Sequence, residues 1–192
     1  MAVDDELERR MREIIDKQDI HDLLMRYCRG CDRGDEALIA SCYHEGGVDD
    51  HGDFVVAAED VAPLFVKLAA RSPYGSMHFI GNELIEIEGD TAFAETYFMA
   101  IKDIARGDDR FLRIRAGRYV DRLERRDGRW GIVERVLADE WNTVNEMPER
   151  LGGPEKYRFG TRDDSDPVWA IRRGRVARRH LSDVSEIGKR GV

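Results

Sequence analysis

No apolar run in this 192-residue chain approaches the ~20 residues that would span a bilayer, which argues against a helical membrane protein. The opening stretch, MAVDDELERR, is acidic and lacks the apolar segment of a secretory leader, so a cytoplasmic location is expected. Basic charge is also short: 31 Lys and Arg against 39 Asp and Glu give a net charge of −8, the wrong sign for broad contact with nucleic acid. The deficit is uneven, since residues 1–145 carry a net −11 and residues 146–192 a net +3. Cysteine is scarce and odd in number (Cys28, Cys31 and Cys42), which excludes a secreted disulfide framework. No G-x-G-x-x-G, Walker loop, H-E-x-x-H or G-x-S-x-G is present, so the usual nucleotide, zinc-protease and serine-hydrolase chemistries have no sequence support. There is no internal repeat and no low-complexity segment.

What is present is an ordered change of period. Ile20, Leu23, Leu24, Tyr27, Cys28 and Cys31 recur at three- and four-residue spacing, and Leu7, Met11, Ile14 and Ile15 extend the same stripe upstream, predicting one long amphipathic helix. Gly34 ends it, and Asp35 caps a short second helix from Glu36 to about Tyr43. An extended piece, Val48 to Val56, turns at Gly52-Asp53. A third helix carries Val61, Leu64, Phe65 and Leu68 on its inner face, with Pro63 in its first turn and Pro73 just past its end. The period then becomes that of strands, in the runs Met77–Glu88, Thr91–Ala105, Phe111–Arg125 and Trp130–Asn145, separated by Gly89-Asp90, Gly107-Asp108-Asp109 and Asp127-Gly128.

Helices first and a long meander afterwards predict an α+β fold: a curved antiparallel sheet, cone-shaped, wrapped around three N-terminal helices. The expected division is a 1–145 domain followed by an extended 146–192 tail. In that tail Met147-Pro148, Gly152-Gly153-Pro154 and the charged Arg162–Asp166 stretch break regular structure, while Trp169 and Ile171 offer anchors onto the domain or a neighbouring subunit. The hollow between sheet and helices is the natural pocket. The outer sheet face, apolar or mixed, predicts a homo-oligomer.

Three residues stand out chemically. Asp32 lies at the C-terminal end of the first helix, where the macrodipole disfavours a negative charge, so it needs either a partner such as Arg33 or a function. His78 shares a strand face with Ile80 and Asn82, and its imidazole can exchange protons near neutral pH, either as a catalyst or as a satisfied core residue. Arg135 interrupts the alternation of Val133 and Leu137; it either faces the pocket as an anion stabiliser or pairs at the surface with Glu134 or Asp139. Tyr27, Tyr43, Tyr97, Tyr119 and Trp141 supply aromatic faces for an aromatic ligand or for the core. Zinc on Cys28, Cys31, Cys42 and His44 is conceivable, but the cysteines fall on apolar helical positions, so they read as buried core and no metal is expected.

The segment Ile20-His21-Asp22-Leu23-Leu24-Met25-Arg26-Tyr27-Cys28, followed by Cys31-Asp32-Arg33-Gly34-Asp35, resembles the first helix of SnoaL-like proteins in the nuclear transport factor 2-like superfamily. Met77-His78-Phe79-Ile80-Gly81-Asn82 and the run Tyr119 to Trp130 fit the same pattern, and the resemblance covers roughly residues 14–145. It is greatest to the branch of scytalone dehydratase and hexachlorocyclohexane dehydrochlorinase.

That resemblance implies a cystatin-like α+β barrel and a cofactor-free Asp–His pair, Asp32 and His78, acting on a small, aromatic substrate. It implies a lyase that expels water, halide or formaldehyde, with Arg135 or a tyrosine assisting departure. Together with the aromatic residues above, the expected substrate contacts are Tyr27, Tyr43, Asn82, Tyr97, Arg135 and Trp141. Tyr27 stands where the dehydrochlorinase carries a lysine. The branch favours a trimer over a dimer. Two alternatives remain at this point: a proton-shuttling isomerase, or a non-catalytic ligand-binding or dioxygenase small-subunit-like protein, which predicts a filled cavity or a separated Asp–His pair.

Overall fold

Helix α1 (Ala2–Arg33) buries its apolar stripe only in its second half, where Ile20, Leu23, Leu24, Tyr27, Cys28 and Cys31 are each at most 7% exposed. Leu7, Met11, Ile14 and Ile15, expected on the same buried face, are 53–67% exposed. The reason is reach. The helix first meets the sheet at Asp16, which accepts hydrogen bonds from Trp130 Nε1 (2.9 Å) and Arg125 (2.6 Å). Before that point none of the described elements covers it. The computed structural model describes residues 2–72, 75–147 and 157–174, and the chain forms two compact units, Met1–Arg150 and Leu151–Val192.

Asp35 caps α2 (Glu36–Ala40) by accepting from the Leu38 N–H at 3.0 Å. This helix is shorter than expected, because Tyr43 already opens strand β1 (Tyr43–Asp50). Strand β2 (Val55–Ala57) returns antiparallel to β1. Helix α3 (Ala58–Ala70) starts early enough to place Pro63 in its second turn rather than its first, on the exposed side, while Val61 and Phe65 face the core. Pro73 lies outside the described residues.

The four long strands, β3 (Ser76–Glu88), β4 (Thr91–Arg106), β5 (Asp109–Arg126) and β6 (Arg129–Glu146), begin and end within two residues of the runs read from the sequence. Asp127 and Gly128, with φ of 53° and 75°, form the two-residue turn whose twist matches a β5–β6 hairpin. The sheet order is β2-β1-β6-β5-β4-β3. All neighbours are antiparallel except β1 and β6, so the sheet is mixed rather than wholly antiparallel. Residue alternation reports which face is buried but not the direction of a partner strand far away in sequence. The edge strands β2 and β3 do not pair, and the curved sheet stays open.

Irregularities in the ladders increase the coiling of the sheet around the helices. They fall between Tyr43 and Val48 in β1, between Ile80 and Glu83 in β3, and in β6 opposite Ala116/Gly117 and Arg122/Leu123 of β5. At Gly117 the strands approach so closely that a Cβ would lie 2.1 Å from the Ala138 carbonyl oxygen.

The three cysteines are buried in this core, and burial pushes the Cys28 thiol up to about 12. His44 turns its Nε2 to the carbonyls of Glu124 and Arg129 (3.0 and 3.1 Å) instead of joining the cysteines, and among the described residues no three potential metal ligands cluster. In the second unit the expected extended chain contains a short helix, α4 (Pro167–Arg172). Asp166 caps it by accepting from the Val168 N–H at 3.0 Å, and Pro167 fits the first helical position. Pro148 and Gly152-Gly153-Pro154 lie outside the described residues. No helix among the described residues is long and apolar enough to cross a membrane.

Candidate active site

The last turn of α1 brings Asp32 against the start of β3. Its Oδ1 is 2.7 Å from His78 Nδ1 and accepts from Ser76 Oγ at 3.0 Å, while Oδ2 accepts from the His78 backbone N–H at 2.9 Å. Three donors from one strand thus offset the cost of a carboxylate at a helix C-terminus. With Nδ1 donating to Asp32, the His78 lone pair is on Nε2. The His78 side chain is 6% exposed and lines a cavity of about 260 Å³.

That cavity is open between sheet and helices, with Phe54, Phe65, Phe98 and Tyr119 as apolar walls. A second histidine lines it. His51, just beyond β1, directs Nδ1 to Asp49 Oδ1 at 2.9 Å, and Asp49 in turn accepts from the Tyr43 hydroxyl at 2.5 Å. Asp49 is fully buried. His51 stacks on Phe54 (centroids 5.4 Å apart) and meets Phe65 edge-on at 5.0 Å. Desolvation lowers the His51 pKa, opposed by the Asp49 hydrogen bond, so the ring is a neutral acceptor at Nε2. Because β1 and β3 belong to opposite flanks of the sheet, His51 and His78 reach the cavity from two sides. Sequence reasoning missed this second pair, although Asp49 and His51 stand two apart, the spacing that puts side chains on one strand face.

Leu68, Ala100 and Leu137 complete the apolar lining, and the remaining residues are charged: Lys102, Arg113 and Arg115, with Asp53 as the single carboxylate among the lining residues. Arg115 is held by Asp139 through two 2.6 Å hydrogen bonds.

Arg135 is elsewhere. It is fully buried, donates Nε and Nη2 to Asp121 at 2.7 Å each, and lies 4.2 and 4.3 Å from the ring centroids of Tyr27 and Tyr119. It is neither a surface residue nor part of the cavity lining. Tyr27 and Tyr43 are core residues behind the lining, their hydroxyl pKa values raised well above normal by burial. Asn82 does not share the His78 face, because the register shift between Ile80 and Glu83 turns it outward. It lines a shallow groove on the outer sheet face with Tyr97, Met99, Trp141 and Phe79. The structure therefore joins Asp32 with His78, places Tyr27, Tyr43 and Arg135 in the buried layer beside them, and sets Asn82, Tyr97 and Trp141 apart.

Residues 12–136 match the family profile of the SnoaL-like domain. Among solved structures, a type-3 hexachlorocyclohexane dehydrochlorinase from Novosphingobium barchaimii aligns with a TM-score of 0.64 at 18% identity, over 74% of this chain and 99% of that one. A scytalone dehydratase-like protein from Novosphingobium aromaticivorans aligns with a TM-score of 0.61 at 18% identity, over 76% and 97%. A protein of unknown function with a cystatin-like fold from Nostoc punctiforme aligns with a TM-score of 0.55 at 19% identity, over 66% and 92%. At these identities the likeness establishes the fold. No curated protein sequence matches the chain significantly.

Proposed function

This chain belongs to the SnoaL-like family, and from that premise we propose that it is a cofactor-independent lyase that eliminates a small leaving group from a small aromatic substrate. The observation that carries the reading is the 2.7 Å contact between Asp32 and His78 with the His78 ring on the wall of an open aromatic cavity. His78 Nε2 takes a proton from the carbon next to the leaving group, that C–H electron pair becomes the new double bond, and the bond to the leaving group breaks. Where the leaving group is hydroxide, the proton on His78 passes to it and water departs, so the cycle needs no co-reactant. Asp32 fixes the tautomer and stabilises the imidazolium. His51 accepts a hydrogen bond from a substrate hydroxyl and so orients the substrate.

The test is turnover of aryl β-hydroxy, β-halo and propanediol compounds, followed by mass spectrometry. Asp32→Asn and His78→Ala should each lower the rate by about 10²–10⁴-fold. Retained activity in either ends this mechanism. Two histidines on one cavity also permit a proton to be removed at one and returned at the other; a product of unchanged mass would favour that isomerase reading.

The apolar outer face, with Phe79 and Trp141 each 68% exposed, supports a homo-oligomer, with the trimer preferred. Light scattering that finds a monomer overturns this.

A further inference from the structure

The charge of the cavity is unbalanced in one direction. Lys102 and Arg113 are direct cross-strand partners in the β4–β5 ladder, and Arg115, opposite Ala100, is the next residue on the same face. All three line the cavity. Like charges placed opposite one another destabilise a strand pair unless something neutralises them. Arg115 is matched by Asp139. Arg113 donates Nε to Asn142 at 3.0 Å and is only 3.7 Å from Asp53, whose side chain is 68% exposed. Lys102 makes no hydrogen bond or ion pair among the described residues, although it is partly buried.

We infer that this cavity takes a small aromatic acid, its carboxylate bound by Lys102 and Arg113 and its ring held between Phe54, Phe65, Phe98 and Tyr119. The inference rests on the reading of the cavity as the substrate site and adds the substrate's class. A carboxylate supplies counter-charge to Lys102 and Arg113 in a cavity that also offers the apolar walls Phe54, Phe65, Leu68, Phe98 and Leu137. Desolvation, opposed by Cys31 and Asp32 and assisted by Arg113 and Arg115, lowers the Lys102 pKa, so an anion bound beside it would favour the charged ammonium. At about 260 Å³ the space lies just under the ~300–1,000 Å³ range of drug-sized sites, which fits one or two rings.

Calorimetric titration of the full chain with trans-cinnamate and with methyl trans-cinnamate tests this, because neither needs to be turned over. The acid should bind at least about tenfold more tightly than the ester, and more weakly as salt rises. Lys102→Met should remove about that tenfold for the acid and leave the ester unchanged. Melting of the unliganded variant at or above the wild-type temperature would show that the fold is intact and the like-charge pair relieved. Equal binding of acid and ester, absence of acid binding, or unchanged acid affinity in Lys102→Met overturns the inference. The lyase reading fails separately: acid binding without elimination from any aryl compound ends that reading alone, and elimination from aryl compounds together with equal binding of acid and ester ends this one alone.

Discussion

Asp121 and Arg135 are direct partners across the β5–β6 ladder, joined by two 2.7 Å hydrogen bonds with neither side chain exposed. The guanidinium lies between the faces of Tyr27 and Tyr119, which ties α1 to the sheet directly beneath the cavity. A buried pair of this kind is held by mutual neutralisation, so losing one member costs far more than losing both.

Arg135→Met is accordingly expected to destabilise the fold by about 3–5 kcal/mol, because it strands the Asp121 carboxylate in the core. The double variant Arg135→Met/Asp121→Leu should recover part of that loss. Urea unfolding of the three proteins checks it. An Arg135→Met protein as stable as wild type would contradict a structural role.

Asp32 serves two purposes that substitution can separate. Asp32→Asn keeps an acceptor for the β3 donors, whereas Asp32→Ala leaves the His78 N–H and Ser76 hydroxyl unmatched. The alanine variant should lose about 1–3 kcal/mol and the asparagine variant less. Thermal melts that rank them in reverse would show that the carboxylate is strained rather than anchored.

His51 makes stability depend on pH. Desolvation, assisted by Arg135 and Arg115 and opposed by Asp49, lowers its pKa from 6.5. The unfolded chain therefore binds this proton at a pH where the folded chain does not, so stability is full above the ordinary value and falls as the pH drops below it. His44, lowered by burial and Arg129, acts in the same direction. Asp49, whose pKa is also depressed, adds its loss only in more acid solution. The melting temperature should fall between about pH 7 and pH 5, and His51→Gln should flatten that slope. An equally steep profile in the variant would remove His51 as the cause.

Gly117→Ala should cost about 1–3 kcal/mol or more, since the new methyl meets the Ala138 backbone and not a movable side chain. Hydrogen exchange should locate the loosening at the β5–β6 irregularity. Unchanged protection there would mean that the strands can separate without penalty.

Much of this was legible beforehand for a local reason. Strand limits follow from turn residues and alternation, which is why β3 to β6 could be placed within two residues, and helix α2 was announced by its Asp35 cap. Asp32 and His78 were legible as a pair only through resemblance, because 46 residues separate them. Asn82 was misplaced by a one-residue irregularity between Ile80 and Glu83 that alternation cannot see. Arg135 was assigned no partner in Asp121, since both stand on strands whose register comes from pairing.

By itself the sequence determined the order of helices and strands, the limits of β3 to β6, and that the chain carries candidate acids and bases, because these depend on residue type and spacing along a few turns. Only the tertiary structure decided that β1 runs parallel to β6, that Arg135 is spent on Asp121, and that His51 joins His78 on one cavity. It also decided that Lys102 faces Arg113 there. Each of these is set by register and burial between segments distant in the chain, where a single displaced residue reverses which side of the sheet a side chain occupies.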